Sequence, residues 1–166
     1  MWIESILKFT FAPIIVSLLL ALVYVVSIRY SIGRKRESIK DKLAIEDKKI
    51  IAFYHPFTNA CGGGEKVLFM MLQSISDLVT DENSYIIVYT VEELDAQSII
   101  AKAQQRFDFR IKIEFRLLRI KKRYFTDLTK MVKLQLISQA IGSIVSVFDA
   151  IYTFPPDVFI DTIGAS

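Results

Sequence analysis

The residues with types and spacing suited to chemistry lie between His55 and Phe69, which read HPFTNACGGGEKVLF. Three consecutive glycines, Gly62, Gly63 and Gly64, follow a short apolar run and precede a segment of helical periodicity. Such a turn lets backbone amides approach a ligand without a Cβ in the way, and the helix behind it aims its free N–H groups at the same point. An anion, above all a diphosphate, is the natural guest. Glu65 opens the helical segment, where it either borders that guest or complements the helix dipole. His55 either donates a hydrogen bond to negative charge in the cleft or braces the loop through nearby backbone. A role as base or nucleophile has no partner that the sequence names. The turn matches neither G-x-G-x-x-G nor the G-K-[ST] ending of a Walker loop, which lowers the nicotinamide and ATP readings.

The elements that must position this loop alternate. Lys49–Tyr54 (KIIAFY) predicts a buried strand, and Val67, Leu68, Met71, Leu72, Ile75 and Leu78 recur at helical spacing over Glu65–Leu78, with Gly64 just before the first turn. Tyr85–Thr90 predicts a second strand, and Thr90 with Glu93 reads as a capping box for a helix running to about Arg106. Ile111–Leu118 fits a third strand, Lys133–Ile151 a long helix, and Asp157–Asp161 a fourth strand behind Pro155-Pro156. The order implies an α/β fold with a parallel sheet and right-handed crossovers. Because the sequence stops at Ser166, soon after the fourth strand, the expectation is an incomplete Rossmann-like domain over 49–166.

A hydrophobic fraction of 52% is high for a purely soluble chain. Phe9–Ile28 carries no charge and matches the roughly 20 residues a helix needs to span a bilayer. Residues 1–30 are therefore expected to form a transmembrane anchor, with Trp2, Tyr24 and Tyr30 at the interfaces. Arg29, Arg34, Lys35, Arg36, Lys40 and Lys42 follow the span, against Lys8 and Glu4 before it, which predicts a cytosolic downstream side. Residues 31–48 read as a basic linker or a short helix on the membrane surface. The net charge of +3 is small and bunched, which argues against nucleic acid as a partner. One cysteine, Cys61, excludes an internal disulfide and, with His55 the only histidine, a Cys/His zinc cluster. Cys61 itself reads as a small filler, since no activating partner is evident.

Two further stretches are singled out. Arg116, Arg119, Lys121, Lys122 and Arg123 form either a solvated face or a grip on lipid headgroups. Leu134–Phe148 is uncharged but too short to span, so it is either a buried core helix or an element dipping its apolar side into the membrane interface.

The run Tyr54–Leu68 (YHPFTNACGGGEKVL), with Leu136–Ser143 (LISQAIGS) and Pro156–Gly164 (PDVFIDTIG), resembles the dolichol-pathway α-1,2-mannosyltransferases that use GDP-mannose. The membrane helix ahead of the first strand fits the same family. The resemblance implies the N-terminal part of a two-domain GT-B glycosyltransferase, with mannose passing from GDP-mannose to a dolichyl-diphosphate oligosaccharide on the cytosolic face of the endoplasmic reticulum. It implies that Gly62, Gly63, Gly64 and Glu65 lie near the donor diphosphate, and it lets His55 reach a sugar hydroxyl or phosphate. The family's paired glutamates would lie in a C-terminal domain, so the catalytic residues are unknown and the chain alone is expected to be inactive. The sequence departs from the pattern at Cys61, where another glycine is usual and a side chain narrows the loop. No D-x-D occurs, so no metal or other cofactor is expected. The rival expectations are a membrane-anchored scaffold that recruits a separate catalytic chain, and an anchor protein whose domain binds another phosphate ligand.

Overall fold

The computed structural model describes residues 2–58, 62–79, 82–93, 95–120 and 135–162. Helix α1 (Trp2–Leu43) leads into strand β1 (Lys49–Tyr54), followed by α2 (Gly63–Leu78), β2 (Ser84–Thr90), α3 (Ala96–Phe107), β3 (Phe115–Arg119), α4 (Gln135–Thr153) and β4 (Val158–Asp161). All strand pairs are parallel and the sheet order is β3-β2-β1-β4. The α/β reading with a parallel sheet holds.

Strand β1 occupies the middle because it is apolar on both faces. Ile51 and Phe53 join Ile86 and Val88 of β2 beneath Leu68, Phe69 and Leu72 of α2 and Ile99 and Ala103 of α3. Ile50, Ala52 and Tyr54 join Ile87 and Tyr89 on the other face, beneath Val147 and Ala150 of α4. Strands that bury both faces need such continuous apolar runs. The sheet grows outward from β1 to β3 and then reverses to β4. Keeping one crossover hand through that reversal forces α4 onto the face opposite α2 and α3, where it is found.

Several boundaries differ from expectation, each for a local reason. Helix α2 begins at Gly63 rather than Glu65, because Glu65 reaches back to cap the amide of Gly62. No Thr90/Glu93 capping box forms. The Thr90 hydroxyl donates to the Pro56 carbonyl at 3.0 Å, Glu93 pairs with Arg119, and α3 starts after Asp95. Strand β3 begins at Phe115, the residue that meets Ile86, so Ile111 and Ile113 are buried in the approach to the strand rather than in it.

The largest departure concerns residues 31–48. Helix α1 does not stop at the end of the uncharged run but continues to Leu43, giving one rod of 42 residues, about 63 Å long. It contains the one stretch among the described residues long and apolar enough to cross a bilayer, and none of that stretch is buried. Its basic end is docked rather than lying as a free linker. Lys40 Nζ lies 3.0 Å and Arg36 Nε 3.2 Å from the Asp157 carboxylate. Arg36 also donates to the Pro156 carbonyl, and Asp157 exchanges hydrogen bonds with Ile50 through its own amide and its carboxylate, both at 2.9 Å. Asp157 thus ties α1, β1 and the start of β4 together.

The helix closes with Ala44 in the left-handed region (φ 52°), the Ile45 amide donating to the Lys40 carbonyl, and Ile45 sunk into the core. This is the Schellman arrangement, which favours glycine at the left-handed residue. Ala44→Gly is expected to raise stability by up to about 1 kcal/mol, because an L-residue there costs roughly 1–2 kcal/mol and glycine's extra unfolded freedom returns part of that; denaturant midpoints in detergent measure it.

Burial raises the Asp157 pKa, but the Ile50 amide, Lys40 and Arg36 outweigh it and hold the carboxyl below its ordinary value of 3.8. A depressed acid stabilises the fold above its unfolded pKa and loses that contribution as pH falls through the lowered one. The docking of α1 is therefore expected to persist at neutral pH and weaken only below about pH 4. Asp157→Ala is expected to cost about 2–3 kcal/mol at neutral pH, by stranding two cations and a backbone amide. Accelerated tryptic cleavage after Arg34, Lys35 and Arg36 reports the released helix.

Candidate functional site

The strand order reverses between β1 and β4, so the crevice at their carboxyl ends is where an open α/β sheet binds ligands. The described part of the loop leaving β1, residues 55–58, stands at this end of the sheet, and Gly62 opens the glycine turn beside His55. The first half of this loop is pinned rigidly. The Thr58 amide and hydroxyl both donate to Glu92 Oε2, at 2.7 and 2.8 Å, and the Pro56 carbonyl accepts from the Val91 amide at 2.9 Å. Thr58 is fully buried by this arrangement. Asn59, Ala60 and Cys61 lie outside the described residues, and with them the expectation for Cys61.

The second half of the turn opens outward. Gly62 is the N-cap of α2, and its amide donates to Glu65 Oε2 at 2.8 Å. Glu65 is consequently buried, at 5% exposure, and committed to the cap. The amides of Gly63, Gly64 and Glu65 follow in the first turn, where an α-helix offers them no internal acceptor. None of the three glycines adopts a left-handed φ. A Cβ on Gly62 would come 3.2 Å from the Glu65 carboxylate, and one on Gly64 would make ordinary contact with His55 Cε1 at 3.5 Å. A Cβ on Gly63 would meet nothing within 4 Å. Neither backbone conformation nor packing among the described residues requires glycine at position 63.

His55 sits under this turn, only 2% exposed. Its amide continues the ladder to the Tyr89 carbonyl, and its Nδ1 lies 2.7 Å from the Thr162 hydroxyl. Thr162, just past β4, also donates that hydroxyl to the Tyr54 carbonyl at 2.9 Å. Burial dominates the imidazole and pushes its pKa below 6.5, prevailing over Glu65, the Phe57 backbone, Glu92 and Asp161, which pull it upward. His55 is thus held neutral at physiological pH although three carboxylates surround it.

The structure brings together His55, Gly62, Gly63, Gly64 and Glu65, all the residues singled out for the site. It adds three the sequence reading missed: Thr58, Glu92 and Thr162. Their signal was positional, since each lies just past the carboxyl end of a parallel strand: Thr58 after β1, Glu92 after β2 and Thr162 after β4. Among the described residues no group of His, Cys, Asp or Glu has the makings of a metal site. Of the basic run, Arg116 lies over the Tyr85 ring at 5.5 Å and Arg119 pairs with Glu93; Lys121, Lys122 and Arg123 lie outside the described residues.

A histidine with a lowered folded pKa binds fewer protons than the unfolded chain below about pH 6.5, so its stabilising contribution is present above that value and lost as pH falls toward the folded pKa. Melting temperatures taken between pH 7.5 and pH 5 are expected to fall more steeply for the native chain than for His55→Gln, which carries no titrating ring; equal slopes would contradict the burial described.

Comparison with known proteins gives the family. A family model described as "ALG11 mannosyltransferase N-terminus" matches residues 48–166. Curated proteins named GDP-Man:Man(3)GlcNAc(2)-PP-Dol alpha-1,2-mannosyltransferase are similar to the chain. The Kluyveromyces lactis protein is 35% identical over 84% of this chain and 25% of its own length, the Mus musculus protein 30% over 82% and 28%, and the Xenopus tropicalis protein 26% over 93% and 32%. The chain therefore spans about a quarter to a third of the length of these relatives. No solved structure matches it. With its sheet, its crevice and the glycine turn all inside the matched residues, the chain belongs to the ALG11 mannosyltransferase family, at that family's N-terminal region.

Proposed function

We infer that this chain is the acceptor-side part of an α-1,2-mannosyltransferase. The reaction moves mannose from GDP-mannose to a dolichyl-diphosphate oligosaccharide, Man(3)GlcNAc(2)-PP-Dol in the relatives' names, during assembly of N-glycan precursors. The observation that carries the reading is Gly63: an exposed glycine in the first turn of a helix, at the switch-point crevice, with open space where a side chain would stand. Backbone that stays bare without a conformational or packing need suits close approach by a phosphate. In this reading Gly63 and Gly64 offer amides to the donor diphosphate, and Glu65 spends its carboxylate on Gly62 to hold the turn open. His55 supports the turn from below, keeping Gly64 in register through Thr162 rather than carrying a proton.

The setting is the endoplasmic reticulum membrane, with α1 as a single-pass anchor and the domain on the cytosolic side, where the basic residues after the span point. The GT-B architecture assigns most donor recognition to a second domain, so this part is inactive without it. The transfer needs no resident metal or other cofactor, a reading supported by a sequence free of D-x-D.

Membranes carrying the chain, with and without the donor-binding half of a relative, are supplied with labelled GDP-mannose and Man(3)GlcNAc(2)-PP-dolichol. Transfer is expected only when both halves are present, and Gly63→Val is expected to lower it at least about tenfold, a transition-state loss of about 1.4 kcal/mol, with an unchanged melting temperature. Transfer by the chain alone would refute the division of labour, and full transfer by Gly63→Val would remove the glycine turn from the site.

A further inference from the structure

Helix α4 is packed inside out. Gly142, Ser146 and Ala150, spaced four apart, are buried on the sheet, and Ser146 accepts a hydrogen bond from the Tyr54 hydroxyl at 2.8 Å. The Tyr89 hydroxyl donates to the Phe154 carbonyl just beyond the helix. Two tyrosines fill the space over this face, so the helix closes on them with small residues. The large apolar residues Ile141, Ile144, Phe148 and Tyr152 turn outward at i, i+3, i+7 and i+11 and are 51–59% exposed. A helix on a water-facing domain does the reverse, keeping its large apolar side chains inward and polar ones outside. Asp149, the one charged residue between Ile141 and Thr153, is half-buried and engaged.

The stripe is continuous with the membrane helix. Lys35 of α1 donates to the Tyr152 carbonyl, and its ammonium lies 4.2 Å from the centre of the Tyr152 ring. Arg29, which ends the uncharged run, precedes Lys35 by about 9 Å of helix rise, comparable to the headgroup layer of a bilayer, roughly 5–8 Å on each side. Tyr152 is therefore placed at the depth where aromatic rings settle, with Lys35 against it and Arg34, which lies over the Tyr30 ring, in the same turn of α1.

We propose that Ile141, Ile144, Phe148 and Tyr152 form a second, non-spanning membrane contact, with α4 lying in the interface of the leaflet from which α1 emerges. The proposal rests on α1 being the span. It has a consequence for the site: α4 runs back from the carboxyl edge of the sheet, which carries the glycine turn, to the amino edge, where α1 docks. A helix seated along the bilayer holds that crevice beside the surface in which a lipid-linked acceptor moves.

The test uses the full 166-residue chain in phosphatidylcholine vesicles containing phosphatidylserine, with Trp2→Phe removing the native indole. Single indoles are introduced by Phe148→Trp, by Met70→Trp on the exposed face of α2, and by Leu19→Trp within the span, and emission is compared without brominated lipids, with lipids brominated near the ester end of their chains, which report on position 148, and with lipids brominated near the methyl end, which report on position 19. Seating within roughly 5–10 Å of the headgroup boundary predicts about a twofold loss of emission at position 148, strong loss at 19 and none at 70. Quenching at 19 but not at 148 would overturn the proposal and leave the anchor intact, and a blue-shifted but unquenched indole at 148 would do so in favour of a protein cover. No quenching at 19 would overturn both the span and the contact built on it.

Discussion

Burial of β1 on both faces, with a parallel partner on each edge, is the constraint from which the rest of the structure follows. Residues Ile50–Tyr54 are all buried, and their backbone is paired with β2 on one side and β4 on the other. A strand so placed must have helices above and below it. Growth of the sheet in both directions from β1 creates the crevice at its carboxyl end. The loop that leaves β1 has nowhere else to go, so the glycine turn is put there by topology.

A second consequence lies at the other end of the same strand. Asp157 bonds to Ile50 in the first ladder rungs and collects Arg36 and Lys40 from α1. The strand whose carboxyl end leads to the glycine turn is fastened at its amino end to the long apolar helix α1. The pair is only partly exposed, so its charges are less screened than those of a surface ion pair, and losing the shared carboxylate strands groups on three elements. The domain is thus docked on the basic end of α1 through side chains of both.

The crevice itself combines an open backbone with a braced floor. Glu65, Glu92 and Thr162 are spent on internal hydrogen bonds that hold the turn and the β1 loop. His55, neutral and buried, is part of the same floor. What the turn exposes is backbone, which suits recognition of phosphate oxygens by amides better than proton transfer by side chains.

The order of strands and helices, the apolar span and the glycine turn were legible in the sequence because each is local. Periodicity, run length and glycine spacing are read within a few residues. The linear pattern also carried the family, through the run from Tyr54 to Leu68. What it could not carry were contacts that join distant positions. Thr90 looks like a helix cap until the Pro56 carbonyl takes its hydroxyl, and the basic stretch after the span looks like a linker until Asp157, more than a hundred residues on, gives Arg36 and Lys40 a partner. Leu134–Phe148 read as either a core helix or an interfacial one, and only packing against Tyr54 and Tyr89 decided which residues face in. The sequence by itself determined the order of strands and helices, the long apolar run and the glycine turn, because those depend on neighbours along the chain. The tertiary structure alone decided which charges pair, which glycine stands in open space and which side of α4 is left bare, because those depend on what the fold brings within a few ångströms.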